Sequence, residues 1–418
     1  MSVTAGPKIK NTVLILLLFV AAVCSGGCWD RMEIENIAFI NAVGVDQAGS
    51  GNVLVTFYVV NPDALSKKGG GGAPPAIVTS VEAWDVALAV ARYAELSPRL
   101  PQFKQLQAII IGEDLARQGV GPVLDYFSRR QEMRRSIWVL VAKGKAQDIL
   151  VKGQSPPEKL ASSGIRIILE RRPIHSATRY PVVLGDLLSD VSRPGMEPIA
   201  SSVEISPLRE ATTGGAYGGD GGLTAAEGSA AEENKVIALR GAGVFRDEKL
   251  LDFLGPSETR GVLWVQGKVN GGRVVVPAPG QDDWASLAIE RESTDVKPVV
   301  EANKIRFVVN IREEGYVISV DNEKIKVGNL DTIELLEQEK QTAIRQEVLG
   351  AVSKAKSLQS DFLGLGDRLY RKYPGVWKQV KDNWNTAWLP QVEVDVSVKC
   401  KLRNTSATND PLNAGEKG

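Results

Sequence analysis

The chain has 418 residues, of which 43% are hydrophobic and 24% charged, the balance of a globular protein with two or three domains. Its 50 Lys and Arg residues cancel its 50 Asp and Glu residues, and no basic patch is interleaved with aromatic residues, so nucleic acid is not an expected partner. The single histidine and three cysteines exclude a His/Cys metal cluster.

The start of the chain has the pattern of an export signal. Lys8 and Lys10 precede an unbroken apolar run at 13–23, which is shorter than the about 20 residues that a membrane-spanning helix needs. Small residues then lead into Cys28, in a pattern that resembles a bacterial lipobox, where the cysteine thiol receives a diacylglycerol and becomes the mature N-terminus. We therefore expect residues 1–27 to be a lipoprotein signal peptide and Cys28 to carry the lipid.

Two features of this leader leave alternatives. Ser25 occupies the position where lipoboxes usually carry an aliphatic residue. Cys24 is a competing attachment site, although the bulky Val23 precedes it. An ordinary secretory signal with a soluble product is the other alternative to a lipid on Cys28.

Residues 28–205 predict an N-terminal α/β region of one or two subdomains. Residues 37–46 and 53–60 have the composition of two strands, and the Gly-rich turn between them is typical of a hairpin. Strand patterns at 108–112 and 137–142 then alternate with helical patterns, which favours a mixed α/β arrangement.

Residues 206–234 are so rich in glycine that they cannot bury enough surface to order themselves, and they predict a linker or a large loop. Residues 235–404 predict a C-terminal domain, an antiparallel-rich sheet packed by a long helix at 332–359. Residues 261–265 are expected to form one of its strands. Residues 405–418 are expected to be a flexible tail. The predicted fold class is α+β, with several domains of mixed sheets and helices.

No catalytic constellation emerges from the sequence. His175 lies in a basic loop and is expected to be solvated, and Cys400 lies in a strand pattern as a half-buried structural thiol. Asp361 and Asp367 flank a glycine-rich bend, where carboxylates either cap helices or act as acids. Capping is favoured because no cleft signature accompanies them. Gly241 lies in a Gly-Ala-Gly run that joins strand to strand and predicts a bulge or tight pairing. We expect no catalytic residue, cofactor or metal.

The densest run of charge is at 129–135, where four arginines surround Glu132. A solvated helix end, with Glu132 pairing locally, is the favoured interpretation. The alternative is a contact surface for anionic headgroups or an acidic partner.

Several stretches of the chain, taken together, resemble one family. They are residues 27–31 and 43–46, then 111–124, 129–135 and Trp138, and finally 241–245, 258–264 and 361–367 with Tyr373, Trp377 and Trp384. Their order and spacing are similar to those of the Ger(x)C germination lipoproteins, the C subunits of spore germinant receptors. Ser25 and the glycine-rich insert at 212–222 depart from the family pattern.

The resemblance implies an α+β fold and a non-enzymatic subunit of a nutrient germinant receptor, required for nutrient-triggered germination. It implies a lipid anchor on the outer face of the spore inner membrane and two membrane-embedded partners, the A and B subunits. Whether this subunit itself binds a small molecule stays open. The alternatives are an extracytoplasmic substrate-binding lipoprotein of a transporter and a lipid-anchored hydrolase, which would need a nucleophile or metal site.

Overall fold

The computed structural model describes most of the chain beyond the leader. The described residues are 11–12, 15–16, 33–65, 73–171, 177–207, 235–279, 283–301, 304–322 and 327–403. Cys28, His175, residues 208–234 and the tail from residue 404 lie outside them, so the interpretations of these positions stay predictions. Within the described ranges, no helix is long and apolar enough to cross a bilayer.

The strands are β1 (Ile37–Gln47), β2 (Val53–Val60), β3 (Ala76–Ala83), β4 (Leu100–Gln102), β5 (Ala108–Ile111), β6 (Trp138–Ala142), β7 (Ile199–Pro207), β8 (Lys235–Arg246), β9 (Lys249–Leu254), β10 (Arg273–Pro277), β11 (Trp284–Glu301), β12 (Lys304–Val320) and β13 (Glu393–Leu402). The α-helices are α1 (Pro62–Leu65), α2 (Val86–Leu96), α3 (Glu113–Gln118), α4 (Gly121–Arg129), α5 (Ala146–Lys152), α6 (Ala161–Glu170), α7 (Leu184–Ser192), α8 (Pro256–Gln266), α9 (Leu330–Leu358), α10 (Leu365–Lys372) and α11 (Pro374–Val380). Short 3-10 and π turns follow α11 as far as Gln391.

Nine of the described strands form one sheet, in the order β3-β2-β1-β5-β6-β7-β8-β9, with β4 paired to the start of β1. The central strands β1, β5, β6 and β7 run parallel, because helical crossovers connect them. Antiparallel strands flank them on both sides. The predicted β1–β2 hairpin is confirmed, with Val45 opposite Val55.

Helices cover both faces of this sheet. On one face, Val45 belongs to the main hydrophobic core together with Phe127 of α4. On the other face, Ile110 packs in a second core with Ile149 of α5 and Ile165 of α6. Because β5 is buried on both sides, its sequence is a continuous apolar run and not an alternating one.

The nine-stranded sheet continues past residues 208–234. β8 pairs antiparallel with β7, with Pro207 opposite Lys235, and β9 forms the edge. Gly241 in β8 has φ +82°, and a Cβ atom on it would lie 2.4 Å from the carbonyl oxygen of Leu254. The bulge or tight pairing predicted at Gly241 is thus confirmed, although it lies within the single strand β8 and not between two strands. The strands of residues 235–254 complete a sheet that began at β1.

The second sheet has the order β10-β11-β12-β13, with β13 parallel to β12 and the other pairs antiparallel. The long helix α9 packs on it through one apolar face that includes Leu336, Ile344 and Val348. Asn329 caps this helix, because its side-chain oxygen accepts a hydrogen bond from the Asp331 N–H at 3.1 Å. The α+β prediction and the long helix are confirmed.

The prediction of a strand at 261–265 is wrong. These residues lie in α8, which begins at Pro256, and the carboxylate of Glu258 accepts a hydrogen bond from the Gly255 N–H at 2.8 Å. Every residue from Thr259 to Val265 is buried. A helix buried on all sides has no apolar stripe, so its short Val- and Leu-rich run is not distinguishable from a buried strand by periodicity.

Candidate functional site

The predicted lipid-attachment residue, Cys28, lies outside the described residues. Residues 29–36 separate it from the first residue of β1, Ile37. His175 also lies outside the described ranges. The candidate site is therefore built from the described residues of the stretches that carry the family resemblance.

Asp46, near the end of β1, caps a helix that lies far away in the chain. Its two carboxylate oxygens accept hydrogen bonds from the N–H groups of Ala146 and Gln147, at 2.7 and 2.8 Å, at the start of α5. Burial raises the pKa of Asp46, and the two backbone hydrogen bonds oppose that rise. This carboxylate is used to join β1 to α5.

Arg260 of α8 forms a buried ion pair with Glu347 of α9. The Nε atom of Arg260 donates to Oε2 of Glu347 at 2.8 Å, and a second guanidinium nitrogen donates to Oε1. Trp264 Nε1 donates to the same carboxylate at 2.9 Å. Gly261 lies at the crossing point, because a Cβ atom there would be 2.1 Å from the Glu347 carbonyl oxygen. The 258–264 stretch thus locks α8 onto α9.

Asp361 caps helix α10. Its Oδ1 accepts a hydrogen bond from the Leu365 N–H at 3.0 Å, and its Oδ2 accepts from the Gly366 N–H at 2.6 Å and from Trp384 Nε1 at 2.7 Å. The predicted capping role of Asp361 is confirmed. Asp367, in contrast, lies in the first turn of α10 and pairs with Arg371 at 3.0 Å.

Glu197 extends this cap into a network that we call the junction cluster: Glu197, Asp361, Trp384 and Asn385. Asn385 accepts a hydrogen bond from the Asp361 N–H at 3.1 Å and donates to Glu197 Oε1 at 2.5 Å. The other oxygen of Glu197 accepts from the Asp247 N–H at 2.6 Å, in the turn between β8 and β9. The cluster therefore ties the segment before β7, the β8–β9 turn and the C-terminal helices together.

The junction cluster holds a carboxyl with a strongly shifted acidity. Burial raises the pKa of Glu197 to about 7, and the charges of Asp247 and Asp361 add to that rise. The hydrogen bonds from Asp247 and Asn385 oppose it. Burial also raises the pKa of Asp361. Both carboxyls accept hydrogen bonds from N–H donors, so the arrangement joins separate segments of the chain.

A second buried ion pair lies between α9 and the C-terminal sheet. Lys340 Nζ is 2.7 Å from Glu313 Oε1 and 2.8 Å from the carbonyl oxygen of Ala288. Cys400 is buried beside this pair, where burial and then the charge of Glu313 raise the pKa of its thiol, against the charge of Lys340. The structural role expected for this thiol fits a buried, un-ionised sulfur. The ammonium group of Lys340 approaches this thiol from α9, which is distant in sequence.

The arginine run at 129–135 pairs within its own neighbourhood. Arg129 lies 2.7 Å from Asp125, and Arg130 lies 2.7 Å from Glu132 and donates to the Tyr126 hydroxyl at 3.0 Å. The predicted local pairing of Glu132 is confirmed. The side chains of Arg134 and Arg135 are exposed.

The described residues contain no group of three His, Cys, Asp or Glu residues that could hold a metal ion. One cleft, of about 450 Å³, lies on the open face of the C-terminal sheet among polar side chains such as Asn310, Arg312 and Lys399. Another, of about 370 Å³, lies beside the start of β1 and is mainly apolar. The carboxylates of the junction cluster line neither of them.

Comparison with known families accounts for both halves of the chain. Residues 30–205 match the family described as spore germination protein N-terminal domain. Residues 240–406 match the family described as spore germination B3/GerAC like, C-terminal. The chain belongs to the Ger(x)C family of spore germination proteins. The two matches leave residues 206–239 between them unmatched.

Relatives in Bacillus subtilis (strain 168) match along almost their whole length. Spore germination protein KC is 25% identical over 97% of this chain and 98% of its own length. Spore germination protein B3 is 25% identical over 90% of this chain and 93% of its own length, and spore germination protein A3 is 22% identical over 94% and 97%. The crystal structure of the GerBC protein superposes with a TM-score of 0.54 at 20% identity, covering 89% of this chain and 100% of that one, which shows a shared fold.

The sequence analysis named Asp361 and Trp384 among the stretches that carry the family resemblance, but it missed Glu197 and Asn385. Nothing around Glu197 in the sequence distinguishes it from a surface acid, since its partners come from residues 247 and 385. Asn385 follows directly after Trp384, and this adjacency was the one available signal.

Proposed function

We propose that this chain is a non-enzymatic, lipid-anchored subunit of a nutrient germinant receptor in the spore inner membrane, required for nutrient-triggered germination. The observation that carries the proposal is the end-to-end similarity to several proteins named for spore germination. A match over nearly the full length of both chains favours a common role more than a match to one shared module would.

The anchor is inferred from the leader. A positive start, a short apolar run and small residues before Cys28 are the features that direct a lipid onto a cysteine. A single acyl chain gives only marginal membrane binding, whereas two or more chains anchor a protein stably. A diacylglycerol on Cys28 would therefore hold the folded body at the outer face of the membrane.

The residues in the stretches that carry the family resemblance favour a structural role over catalysis. Asp46, Arg260 and Asp361 each satisfy a helix end or bridge two helices. Such groups stabilise a fixed shape, which is what a binding subunit presents to its neighbours. The expected neighbours are the two membrane-embedded subunits, A and B.

A substrate-binding lipoprotein of a transporter is the alternative, since it would carry a similar leader. That class is built of two doubly wound lobes. The described residues instead form one mixed nine-stranded sheet and one antiparallel-rich four-stranded sheet. The architecture therefore favours the receptor proposal.

The test is affinity purification of the chain from detergent-solubilised spore inner membrane, followed by mass spectrometry. We expect one A-type and one B-type membrane subunit to be recovered with it, and a mature N-terminus that begins at lipid-bearing Cys28. Recovery with importer components would overturn the receptor role.

Two variants separate the anchor from the receptor role. Cys28→Ala is expected to lose the lipid and to leave the membrane fraction. Cys24→Ala is the matched control, because the signal peptide that contains Cys24 is removed, and it is expected to leave lipid and location unchanged. If the control variant were the one to lose the lipid, attachment would be at Cys24.

A further inference from the structure

Three large apolar side chains are exposed at one end of the nine-stranded sheet. Ile77 is 54% exposed, Leu96 is 73% exposed and Leu100 is 53% exposed. We call these three residues the apolar end face. Single exposed leucines need no explanation, but a group at one place marks a contact surface.

The fold brings these side chains together at the start of β1. Leu100 in β4 pairs with Ile37, the first residue of β1. Ile77 in β3 pairs with Val59 near the end of β2, and Leu96 ends α2. Ile77 and Leu96 also line the apolar cleft of about 370 Å³.

The turn between α2 and β4 is fixed by hydrogen bonds. The Ser97 N–H donates to the Tyr93 carbonyl oxygen at 2.9 Å and ends α2. The Ser97 hydroxyl donates to the Arg99 carbonyl oxygen at 2.8 Å, and β4 then pairs with β1. These bonds fix the turn between Leu96 and Leu100, whose side chains are both exposed. Arg99 is the charged residue among those that line the cleft.

The chain between the proposed anchor and β1 is short. Cys28 precedes Ile37 by residues 29–36 alone, and a fully extended chain of that length reaches about 30 Å. A lipid on Cys28 therefore keeps the start of β1 close to the bilayer surface. The apolar end face surrounds the same point of the fold.

We infer that the apolar end face inserts into the outer leaflet of the membrane that carries the lipid on Cys28; this inference rests on the lipid anchor of the proposed function. Apolar side chains at the headgroup boundary, with a cation beside them at phosphate level, are the chemistry of an interfacial contact. The lipid and the face make two attachment points. Together they hold the body in one orientation relative to the membrane and its subunits.

The experiment uses the lipidated, full-length mature protein in vesicles of phosphatidylethanolamine and phosphatidylglycerol. Leu96→Cys carries an environment-sensitive fluorophore, and nitroxide-labelled lipids serve as quenchers. Leu330→Cys is the matched control, because Leu330 is a leucine with 77% exposure in α9 of the C-terminal half. Cys400 is buried and is not expected to take the label.

We expect emission from the label at residue 96 to shift to shorter wavelength and to be quenched by the nitroxide lipids, while the label at residue 330 stays water-like and unquenched. Adding Ile77→Ser and Leu100→Ser to the Leu96→Cys chain should weaken the quenching. A lipidated, membrane-bound chain with a water-like label at 96 overturns the inference alone. An unmodified Cys28 overturns the proposed anchor, and this inference with it.

Discussion

The guanidinium of Arg260 and the carboxylate of Glu347 form an ion pair that is almost closed to solvent, with side-chain exposures of 7% and 2%. The pair joins α8 to α9, two helices that are far apart in sequence. A buried charge is tolerated only when it is paired and hydrogen-bonded, so each partner fixes the position of the other. The crossing of these helices therefore depends on both residues.

Arg260→Met is expected to destabilise the protein strongly, because it leaves the Glu347 carboxylate buried without its cation. Removing one partner of a buried pair typically costs about 3–5 kcal/mol in the free energy of unfolding. Urea unfolding followed by circular dichroism measures the loss.

Arg306→Met is the matched control, since Arg306 pairs with Asp395 on the surface, where an ion pair contributes less than about 1 kcal/mol. The double variant Arg260→Met with Glu347→Leu should recover part of the loss, because no unpaired charge then remains, although Trp264 Nε1 loses its acceptor. Equal losses for Arg260→Met and Arg306→Met would contradict the role given to the buried pair.

Gly261→Ala tests the close approach of the same helices. Its Cβ atom would lie 2.1 Å from the Glu347 carbonyl oxygen, so α8 and α9 must separate, and overpacking of this kind costs about 1–3 kcal/mol or more. Gly350→Ala in α9 is the control, because nothing lies within 4 Å of its Cβ position. Since alanine is the better helix former, Gly350→Ala should stabilise by about 0.5–1 kcal/mol. Thermal unfolding of both variants, measured in parallel, tests these two expectations. A Gly261→Ala protein with unchanged thermal stability would contradict the packing argument.

Local chemistry explains which elements were predictable. Alternation, periodicity or turn residues within a short window indicate three elements: the β1–β2 hairpin, the long helix and the strand at 393–402. Asp361 was predictable as a cap because its partners are only four and five residues away. These features need no knowledge of the rest of the fold.

Long-range partners explain what was missed. The sequence of α8 resembles that of a strand because both sides of this helix are buried. The burial against α9 is visible only in the structure. Lys340 interrupts the apolar face of α9 in the sequence, yet its side chain is fully buried against Glu313. The completion of the first sheet by β8 and β9 depends on pairing across residues 208–234, which no local pattern reports. Pairings of this kind are set by tertiary packing.

Asp361→Asn is expected to destabilise the protein, whereas Asp367→Asn is not. Three N–H groups donate to the Asp361 carboxylate. Asparagine replaces one carboxylate oxygen with an NH₂ group, whose own N–H groups would point at N–H donors that need an acceptor. Each buried group left without its partner costs about 1–3 kcal/mol. Asp367 pairs with the exposed Arg371, so its change should cost under about 1 kcal/mol.

The urea midpoints of these two variants provide the measurement. The tryptophan emission of the Asp361→Asn protein should also change, because Trp384 Nε1 loses its acceptor. If Asp361 were instead an acid awaiting a substrate, its neutral replacement would leave stability unchanged, and equal midpoints for both variants would favour that view.

Glu197 is expected to make the stability of the protein fall as the pH rises. Its pKa is about 7 in the folded protein against an ordinary value of 4.5. Below about pH 4.5 the carboxyl is protonated in both states and has no effect on the balance. As the pH rises, Glu197 ionises first in the unfolded state, so the free energy of unfolding falls. The decrease is complete only when the pH exceeds the pKa of Glu197 in the folded protein. A difference of this size corresponds to something on the order of 3 kcal/mol.

The measurement is urea unfolding at several pH values between 4.5 and 8, for the native chain and for Glu197→Gln. The amide cannot ionise, so the variant should show a flatter decline, even though it gives up a hydrogen bond with Asn385 or with the Asp247 N–H and is less stable at low pH. Buried carboxyls far from the junction cluster contribute equally to both proteins and cancel in the difference between the two slopes, whereas Asp361, whose charge acts on Glu197, is part of that difference. Parallel slopes would mean that Glu197 ionises as easily in the folded state as in the unfolded chain. The junction cluster would then not be closed to water.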